Sequence, residues 1–466
     1  MSKQSRFVKS GAVSCRSIPN DGLLLFNADS NKERVLNETG SHIWRTLDEK
    51  PCVEDVACAL AHEFEVDETV ALEDVEQYLK LLQDEQFIVV GDKVTSAPAP
   101  LPYSAAPLRL DIALTGKCNL SCKYCFFAEE MEQRPDLPTT QWLRFIDELE
   151  RCGVRDLCFS GGEVFIRKDL FEIIDAAIDG RMRFSLLSNG GLINETIVKK
   201  LSQAKRKKRL NSIQISIDGS KADIHDKLRG EGSFAGAIKA IHILSAADLP
   251  VTSRVTIHRH NLEDLPAITK LLLDELKLRS FSTNEAADLG SCRKDEEIKL
   301  TTVQRLRAME LLVGLARDYK GRVTAQGGPL ALYRIFKEME AVQKGKAKPR
   351  PSMGQLSGCG CPNSHLAVNH DGTVTPCTLL SQEVMGHINE LDLSLLWQSS
   401  KKRKKLLGRA KMRQADLDYC KGCQWTAFCT GGCPATIFAK CGRLDLPNEL
   451  QCYKRFIEAV GELPDF

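Results

Sequence analysis

Nowhere in this chain of 466 residues do about 18 consecutive apolar residues occur, so nothing in it reads as a transmembrane helix. A secretion signal is missing too: Met1 to Ser10 is polar and basic, with no apolar h-region. Both absences set the expectation of a cytoplasmic protein with no membrane partner. Net charge is scarce as well. The 64 Lys and Arg against 62 Asp and Glu leave +2, which names no charged partner. Hydrophobic residues make up 43% of the chain, enough for a large core divided among about two to four units. Cysteine, by contrast, is plentiful at 18. A secreted disulfide scaffold would be short and carry a signal. In a large chain without one, clustered thiols point to metal.

The sharpest cluster is Cys118-Asn-Leu-Ser-Cys122-Lys-Tyr-Cys125, a C-x3-C-x2-C triad just after the strand-like run Leu108-Arg-Leu-Asp-Ile-Ala-Leu114. Three thiolates on one short loop can hold three irons of a [4Fe–4S] cube and leave the fourth open to a small molecule, whereas a closed electron-transfer site uses four. The spacing therefore predicts chemistry at iron.

Composition divides the chain. Residues 1–92 hold nine Lys and Arg against eighteen Asp and Glu, and a Pro/Ala linker, Ser96-Ala-Pro-Ala-Pro-Leu-Pro-Tyr103, follows. Next, apolar runs at 156–159, 183–187, 212–217, 252–257 and 280–283 alternate with amphipathic stretches such as 142–151 and 170–178. That rhythm predicts parallel strands with helices outside them. A helical stretch at 302–342 and a basic, Pro-containing segment at 344–351 lead into a cysteine-rich region from Cys359 to Cys452. The expected domains are 1–95, a linker at 96–107, a barrel at 108–300, a helical bridge at 301–350 and a metal-organised unit at 351–466.

Parallel α/β architectures gather ligand-binding groups at the C-terminal ends of their strands. The triad, Cys158-Phe-Ser-Gly-Gly-Glu163, Ser188-Asn189-Gly190 and Ser216-Ile-Asp218 all fall at such ends. In that order they resemble the radical S-adenosylmethionine (SAM) superfamily, which implies a partial (β/α)6 TIM-like barrel. By that resemblance Gly161, Gly162 and Glu163 would meet the SAM amino group, and Ser188, Asn189 and Ser216 would lie near its ribose. Asp218 joins this set, and Arg229, at the end of His225-Asp226-Lys-Leu-Arg229, is the candidate for the SAM carboxylate. The competing reading of each segment alone is an ordinary strand-to-helix turn. Tyr124 reads as a shield for the cluster, and Cys152 and Cys158 as buried packing thiols. No residue is marked out as a general base.

The later cysteines form a second pattern: Cys359 and Cys377 flank Gly372, and Cys420, Cys423, Cys429, Cys433 and Cys452 follow. This resembles the SPASM extension of radical SAM enzymes, which holds two auxiliary [4Fe–4S] clusters and so raises the expected total to three. The resemblance gives Cys420, Cys423, Cys429 and Cys452 to one cluster and Cys359, Cys377 and Cys433 to the other. Cys361 is the nearest candidate for the missing fourth ligand, with Cys441 and Cys292 in reserve. Structural zinc is the alternative, since a C-x2-C pair also suits a tetrahedral ion.

At the N-terminus, Gly22-Leu-Leu-Leu-Phe26 and Arg34-Val-Leu36 read as paired strands, and Asn37 as a cap for a helix carrying Ile43, Trp44 and Leu47. Two more helices fit 53–64 and 69–82, the order of a small winged-helix module. Its acidic balance opposes the electrostatic attraction behind nucleic-acid binding. The segment resembles the PqqD-like peptide chaperone of quinone-cofactor biosynthesis, which implies that a precursor peptide adds as a strand to the edge at 32–36 beside the third helix. A structural cap is the plainer alternative.

Together these resemblances imply an α/β radical SAM/SPASM maturase that cleaves SAM reductively and modifies, by a thioether or carbon–carbon crosslink, a ribosomally synthesised peptide or small protein. The rivals are maturation of a sulfatase or of a haem or quinone precursor, and a non-catalytic metal-binding scaffold. Sulfatase maturases carry an Asp after the cysteine matching Cys377, where this chain has Thr378. An electron donor such as a flavodoxin or ferredoxin is implied as a partner. The basic runs at 205–209 and 401–405 read as solvated helix faces, or else as docking sites for such an acidic donor.

Overall fold

The computed structural model describes residues 6–18, 22–91, 106–131, 134–357, 360–390 and 392–463. The linker expected at 96–103 and Cys359 lie outside these residues. The chain falls into two compact units. One holds the described residues up to Ala106 together with Glu148–Arg155 and Asp179–Met182, and the other holds the rest.

The first unit contains β1 (Phe7–Lys9), β2 (Val13–Ser17), β3 (Leu23–Asn27), β4 (Lys32–Leu36), α1 (Glu38–Thr46), α2 (Val53–Phe64), α3 (Glu68–Asp84) and β5 (Ile88–Val90). Strands β2, β3 and β4 form an antiparallel sheet in that order, and β1 pairs with β5. As the sequence predicts, Asn37 caps α1, its side chain accepting from Gly40 N at 2.9 Å. Asp67 caps α3 in the same way. Trp44, Phe7, Leu25, Leu79 and Phe87 fill one shared core, each large side chain contributing about 1.5–3 kcal/mol by leaving water. β4 is an edge strand whose side chains are largely exposed, Val35 at 63%.

The second unit is built on β6 (Arg109–Ala113), β7 (Asp156–Ser160), β8 (Arg183–Ser188), β9 (Leu210–Ser216), β10 (Val251–Ile257), β11 (Phe281–Glu285) and β12 (Val323–Ala325). Neighbours in this series pair in parallel, and a connection between parallel strands must cross over, here through helices. The crossovers run through α4 (Thr139–Arg151), α5 (Leu170–Asp179), α6 (Glu195–Leu201), α7 (Ala204–Arg209), α8 (Ala222–Arg229), α9 (Ser233–Ala246), α10 (Leu265–Lys270) and α11 (Thr302–Asp318). After α12 (Gly328–Gln343) come α13 (Cys361–Ser364), β13 (His365–Val368), β14 (Thr373–Thr375), β15 (Gly386–His387), α14 (Leu393–Ser399), α15 (Lys401–Arg409), α16 (Pro434–Cys441) and α17 (Tyr453–Val460).

Three features depart from the sequence reading. The stretch 302–342 is not continuously helical: a turn ends α11, and β12 adds to the parallel sheet at β11 before α12 begins. The sheet also does not stop at β6. β13 pairs in parallel with β6 and carries β14 and β15 beyond it, giving one sheet of ten strands that runs into the cysteine-rich region. The basic run at 205–209 is also no free face. Arg206 and Arg209 are buried, Arg206 holds Asp175 at 2.7 Å, and Lys207 holds Asp248 at 3.0 Å.

Candidate functional site

The triad loop leaves the C-terminal end of β6 and is braced at once. Asp136 accepts from the Thr115 hydroxyl at 2.6 Å and from Gly116 N at 2.8 Å. Gly161 and Gly162, beyond β7, press onto the same loop. Gly161 has φ +145°, and a Cβ there would lie 2.4 Å from Thr115 O; a Cβ on Gly162 would lie 2.2 Å from Lys117 O. Only glycine allows that approach. Gly162 N and Glu163 N donate to Thr115 O and Lys117 O, both at 2.8 Å, so the two loops are stitched through their backbones.

Glu163 is buried, and its carboxylate accepts from the Ser188 hydroxyl and from Asn189 N, both at 2.8 Å. Burial pushes its pKa up against the pull of these donors. In the protein alone, then, Glu163 joins the ends of β7 and β8. Asn189 Nδ2 donates to Asn119 Oδ1 at 2.9 Å, which ties Ser188-Asn189-Gly190 to the loop between the first two cysteines.

Below the second half of the triad lies a buried polar network. Tyr124 OH and Arg229 Nε both donate to Asp218 Oδ2, and Thr256 N donates to Asp218 Oδ1 at 2.6 Å. Burial opposes charge on Asp218, but the Arg229 guanidinium, with the Tyr124 hydroxyl donating, outweighs it and holds the carboxyl below its usual range. Asp218 N donates to His225 Nδ1 at 3.1 Å, so that nitrogen carries no proton. Burial pushes His225 and His258 down to about 4, leaving both rings neutral. The Arg229 guanidinium also sits 5.5 Å from the Tyr124 ring centre, and Lys123 N donates to Leu228 O at 2.9 Å. Arg229, expected for the SAM carboxylate, pairs through Nε with Asp218, and Tyr124 anchors the cluster loop from within. Ser216 ends β9 opposite Arg254 of β10. Sequence reasoning quoted His225 and Asn119 only as parts of motifs and passed over His258; the position of Tyr124 inside the triad and the segment beginning at His225 were the available signals.

Cys118, Cys122 and Cys125 are part-buried on one loop, and Ser291 N donates to Cys125 O at 3.0 Å. Cys152 and Cys158 are buried, as expected of packing thiols, and Cys292 packs in an apolar cluster with Tyr124 and Ile298. Cys420, Cys423 and Cys429, on one stretch, and Cys452, on another, line one pocket. Cys377 and Cys433 pack against a different cluster that includes Leu406 of α15, the helix against which α13, starting at Cys361, lies. Cys441 is exposed, its thiol turned to Ile437 O of its own helix.

The thiols fit iron–sulfur groups. Burial first, then repulsion among neighbouring thiolates, pushes Cys125, Cys420 and Cys429 up to about 11. Only a strongly positive centre would hold such a set ionised. Among the described residues no three His, Cys, Asp or Glu side chains gather tightly enough for one ion; the four thiols border a space instead.

The radical SAM superfamily profile matches residues 112–272, that of coenzyme PQQ synthesis protein D matches 22–88, and that of the SPASM iron–sulfur cluster-binding domain matches 359–424. The chain is similar to the AdoMet-dependent heme synthase of Methanosarcina barkeri, 28% identical over 75% of this chain and 97% of the relative. It is also similar to the PqqA peptide cyclase of Granulibacter bethesdensis, 26% identical over 73% and 86%. The crystal structure of Streptococcus suis SuiB bound to its precursor peptide SuiA shares the fold, with TM-score 0.67 and 16% identity over 95% of this chain and 99% of that one. The radical SAM and SPASM matches imply SAM and iron–sulfur clusters as cofactors. Among the described residues no helix is long and apolar enough to cross a membrane.

Proposed function

We infer that this chain, a radical SAM enzyme carrying PqqD and SPASM domains, matures a ribosomally synthesised peptide or small protein in the cytoplasm, leaving a thioether or carbon–carbon crosslink. The observation that carries the reading is that one chain holds both a triad loop braced at strand ends and a strand, Lys32–Leu36, paired on one side only among the described residues. An extended peptide can add to such an edge, gaining main-chain hydrogen bonds for affinity and side-chain contacts for selectivity. The PqqA peptide cyclase and the peptide-bound SuiB structure support this choice of substrate class.

Each residue set then has a task. Cys118, Cys122 and Cys125 hold the cluster that meets SAM. Gly161 and Gly162 leave room for the ligand, Glu163, Ser188, Asn189 and Ser216 frame it, and Asp218 holds Arg229 and Tyr124 in place. Cys420, Cys423, Cys429 and Cys452 hold one auxiliary cluster; Cys359, Cys361, Cys377 and Cys433 hold another, for three in all. When bound, SAM and its cluster supply a 5′-deoxyadenosyl radical on receipt of one electron from a flavodoxin or ferredoxin.

The Methanosarcina barkeri relative favours a second reading, action on a haem precursor. That reading leaves the N-terminal domain without a task. The test is to incubate the anaerobically reconstituted protein with SAM, a reductant and short peptides encoded beside it. The expected product has lost two hydrogens, with 5′-deoxyadenosine formed alongside. An unaltered peptide set together with conversion of a tetrapyrrole would overturn the proposal.

A further inference from the structure

The cavity bordered by Cys420, Cys423, Cys429 and Cys452 lies beneath a basic segment that the activity above does not use. Lys344-Gly-Lys-Ala-Lys-Pro-Arg-Pro351 places a cation at every second position and contains no acid. Every residue from 343 to 351 is exposed. Both ends of the segment are fixed to the cavity wall. On one side Met339 of α12 lines the cavity. On the other, Gly354 N donates to Cys429 O at 2.9 Å, and Gln355 bridges to Arg413 next to cavity-lining Gln414.

The charges on this rim are mostly uncompensated. Arg350 holds Glu338 at 2.6 Å, and Lys344 reaches Glu340 only at 3.9 Å. Lys346 and Lys348 form no ion pair with a described residue. Lys421, between Cys420 and Cys423, is exposed, as are its neighbours Gly422 and Gln424. Glu449 is taken by Lys440 at 2.8 Å and Arg455 at 3.2 Å, while Asp416 and Asp418 are exposed on the Cys420 side. Four part-buried thiols therefore border a pocket to which the segment 344–351 adds four exposed cations and no acid. The run at 401–405 belongs to a different face: the helix that carries it packs Leu406 with Cys377 and Cys433, and Lys402 holds Glu383 at 2.9 Å while Arg403 stacks 3.6 Å over Trp397.

We propose that residues 344–350 and Lys421 form the docking surface for an acidic one-electron carrier protein, of the flavodoxin or ferredoxin class, at the Cys420, Cys423, Cys429 and Cys452 site. The inference rests on the radical SAM reading, since only a redox enzyme needs such a carrier. One electron leaves the carrier, which is oxidised, and the enzyme accepts it; no bond forms or breaks. A patch of one sign on each partner steers encounter and fixes orientation, and it acts only within about 8–10 Å at ordinary salt.

The test compares the full-length reconstituted protein with a Lys344→Glu, Lys346→Glu, Lys348→Glu variant. Binding of oxidised flavodoxin and of a plant-type ferredoxin is measured by calorimetry across a salt series. At least one carrier should bind the unaltered protein, and the variant should weaken it by at least about tenfold and flatten its salt dependence. Carrier-driven reduction should slow in parallel, while photoreduction by neutral 5-deazariboflavin, and peptide modification driven by it, should not change. A Lys199→Glu, Lys208→Glu, Lys239→Glu variant, at three exposed helix positions, controls for the same change in net charge. Equal carrier affinity in all three proteins overturns the proposal, as does no carrier binding to the unaltered protein. A variant that loses precursor peptide or nucleic acid in place of the carrier reassigns the patch and overturns it too. Failure of the peptide-maturation reading shows separately, as no peptide product under deazariboflavin with unaltered protein.

Discussion

The two cysteine sites are built in opposite ways. At the triad, three thiols share eight residues of one loop, and the fold's effort goes into holding that loop. Glycines press on its start, Asn189 grips its first turn, and Tyr124 is tied to a buried ion pair. At the auxiliary site, four thiols come from two stretches, 420–429 and the turn at Cys452, which meet around a pocket: the Trp425 and Tyr453 rings pack edge-on at 4.5 Å and Asn448 N donates to Gly431 O at 2.7 Å. The first site is one loop braced from outside; the second brings distant stretches of chain together around a shared pocket. Open chemistry at iron needs a fixed loop with a ligand missing, whereas a closed site can draw its order from the metal.

The largest effects should follow this division. Replacing Cys118, Cys122 and Cys125 by Ala should abolish 5′-deoxyadenosine formation while thermal stability and auxiliary iron change little, as iron assay and calorimetry would report. Cys423→Ala or Cys429→Ala should lower iron content and product and also loosen the C-terminal region, seen as faster proteolysis there. Stoichiometric zinc with full activity would break the comparison.

Asp218→Asn should cost about 3–5 kcal/mol in denaturant unfolding, because it leaves the Arg229 charge buried and unpaired. Tyr124→Phe removes only one donor to that carboxylate and should cost about 1.5–3 kcal/mol, so the pair of variants separates charge from anchoring. If Asp218→Asn is silent, the triad loop is not braced as described. The smallest effect belongs to the N-terminal unit. A proline in β4, at a position whose N–H points away from β3, should weaken precursor peptide by about 0.5–1.5 kcal/mol in a binding titration. Iron content and unstimulated SAM cleavage should stay unchanged.

The same contrast governs what the sequence could tell. The triad, Gly161-Gly162-Glu163 and the strands that carry them are local patterns, and the structure assembles them around one loop. Asn37 as a cap and α2 at Val53–Phe64 were equally local. What escaped was set by pairing across long separations. β13 joins β6 from more than 250 residues away in the chain, and β12 hides as three residues inside a helical pattern. Arg206 and Arg209 look like surface charge in a run of basic residues, yet they are buried, Arg206 by pairing with Asp175 across the sequence. Arg229 sits in a local motif, and its bond through Nε to Asp218, eleven residues earlier, is visible only in the fold.

The account's central claim is that the barrel aims a radical at a peptide delivered by the N-terminal domain. The most direct measurement is isotope transfer from precursor peptide, deuterated one residue type at a time, into 5′-deoxyadenosine during anaerobic turnover, read by mass spectrometry. One residue type should give deuterated 5′-deoxyadenosine together with a peptide two hydrogens lighter, and the β4 proline variant should lower the transfer at limiting peptide. 5′-Deoxyadenosine that stays unlabelled with every peptide, at a rate the peptide does not change, would contradict it.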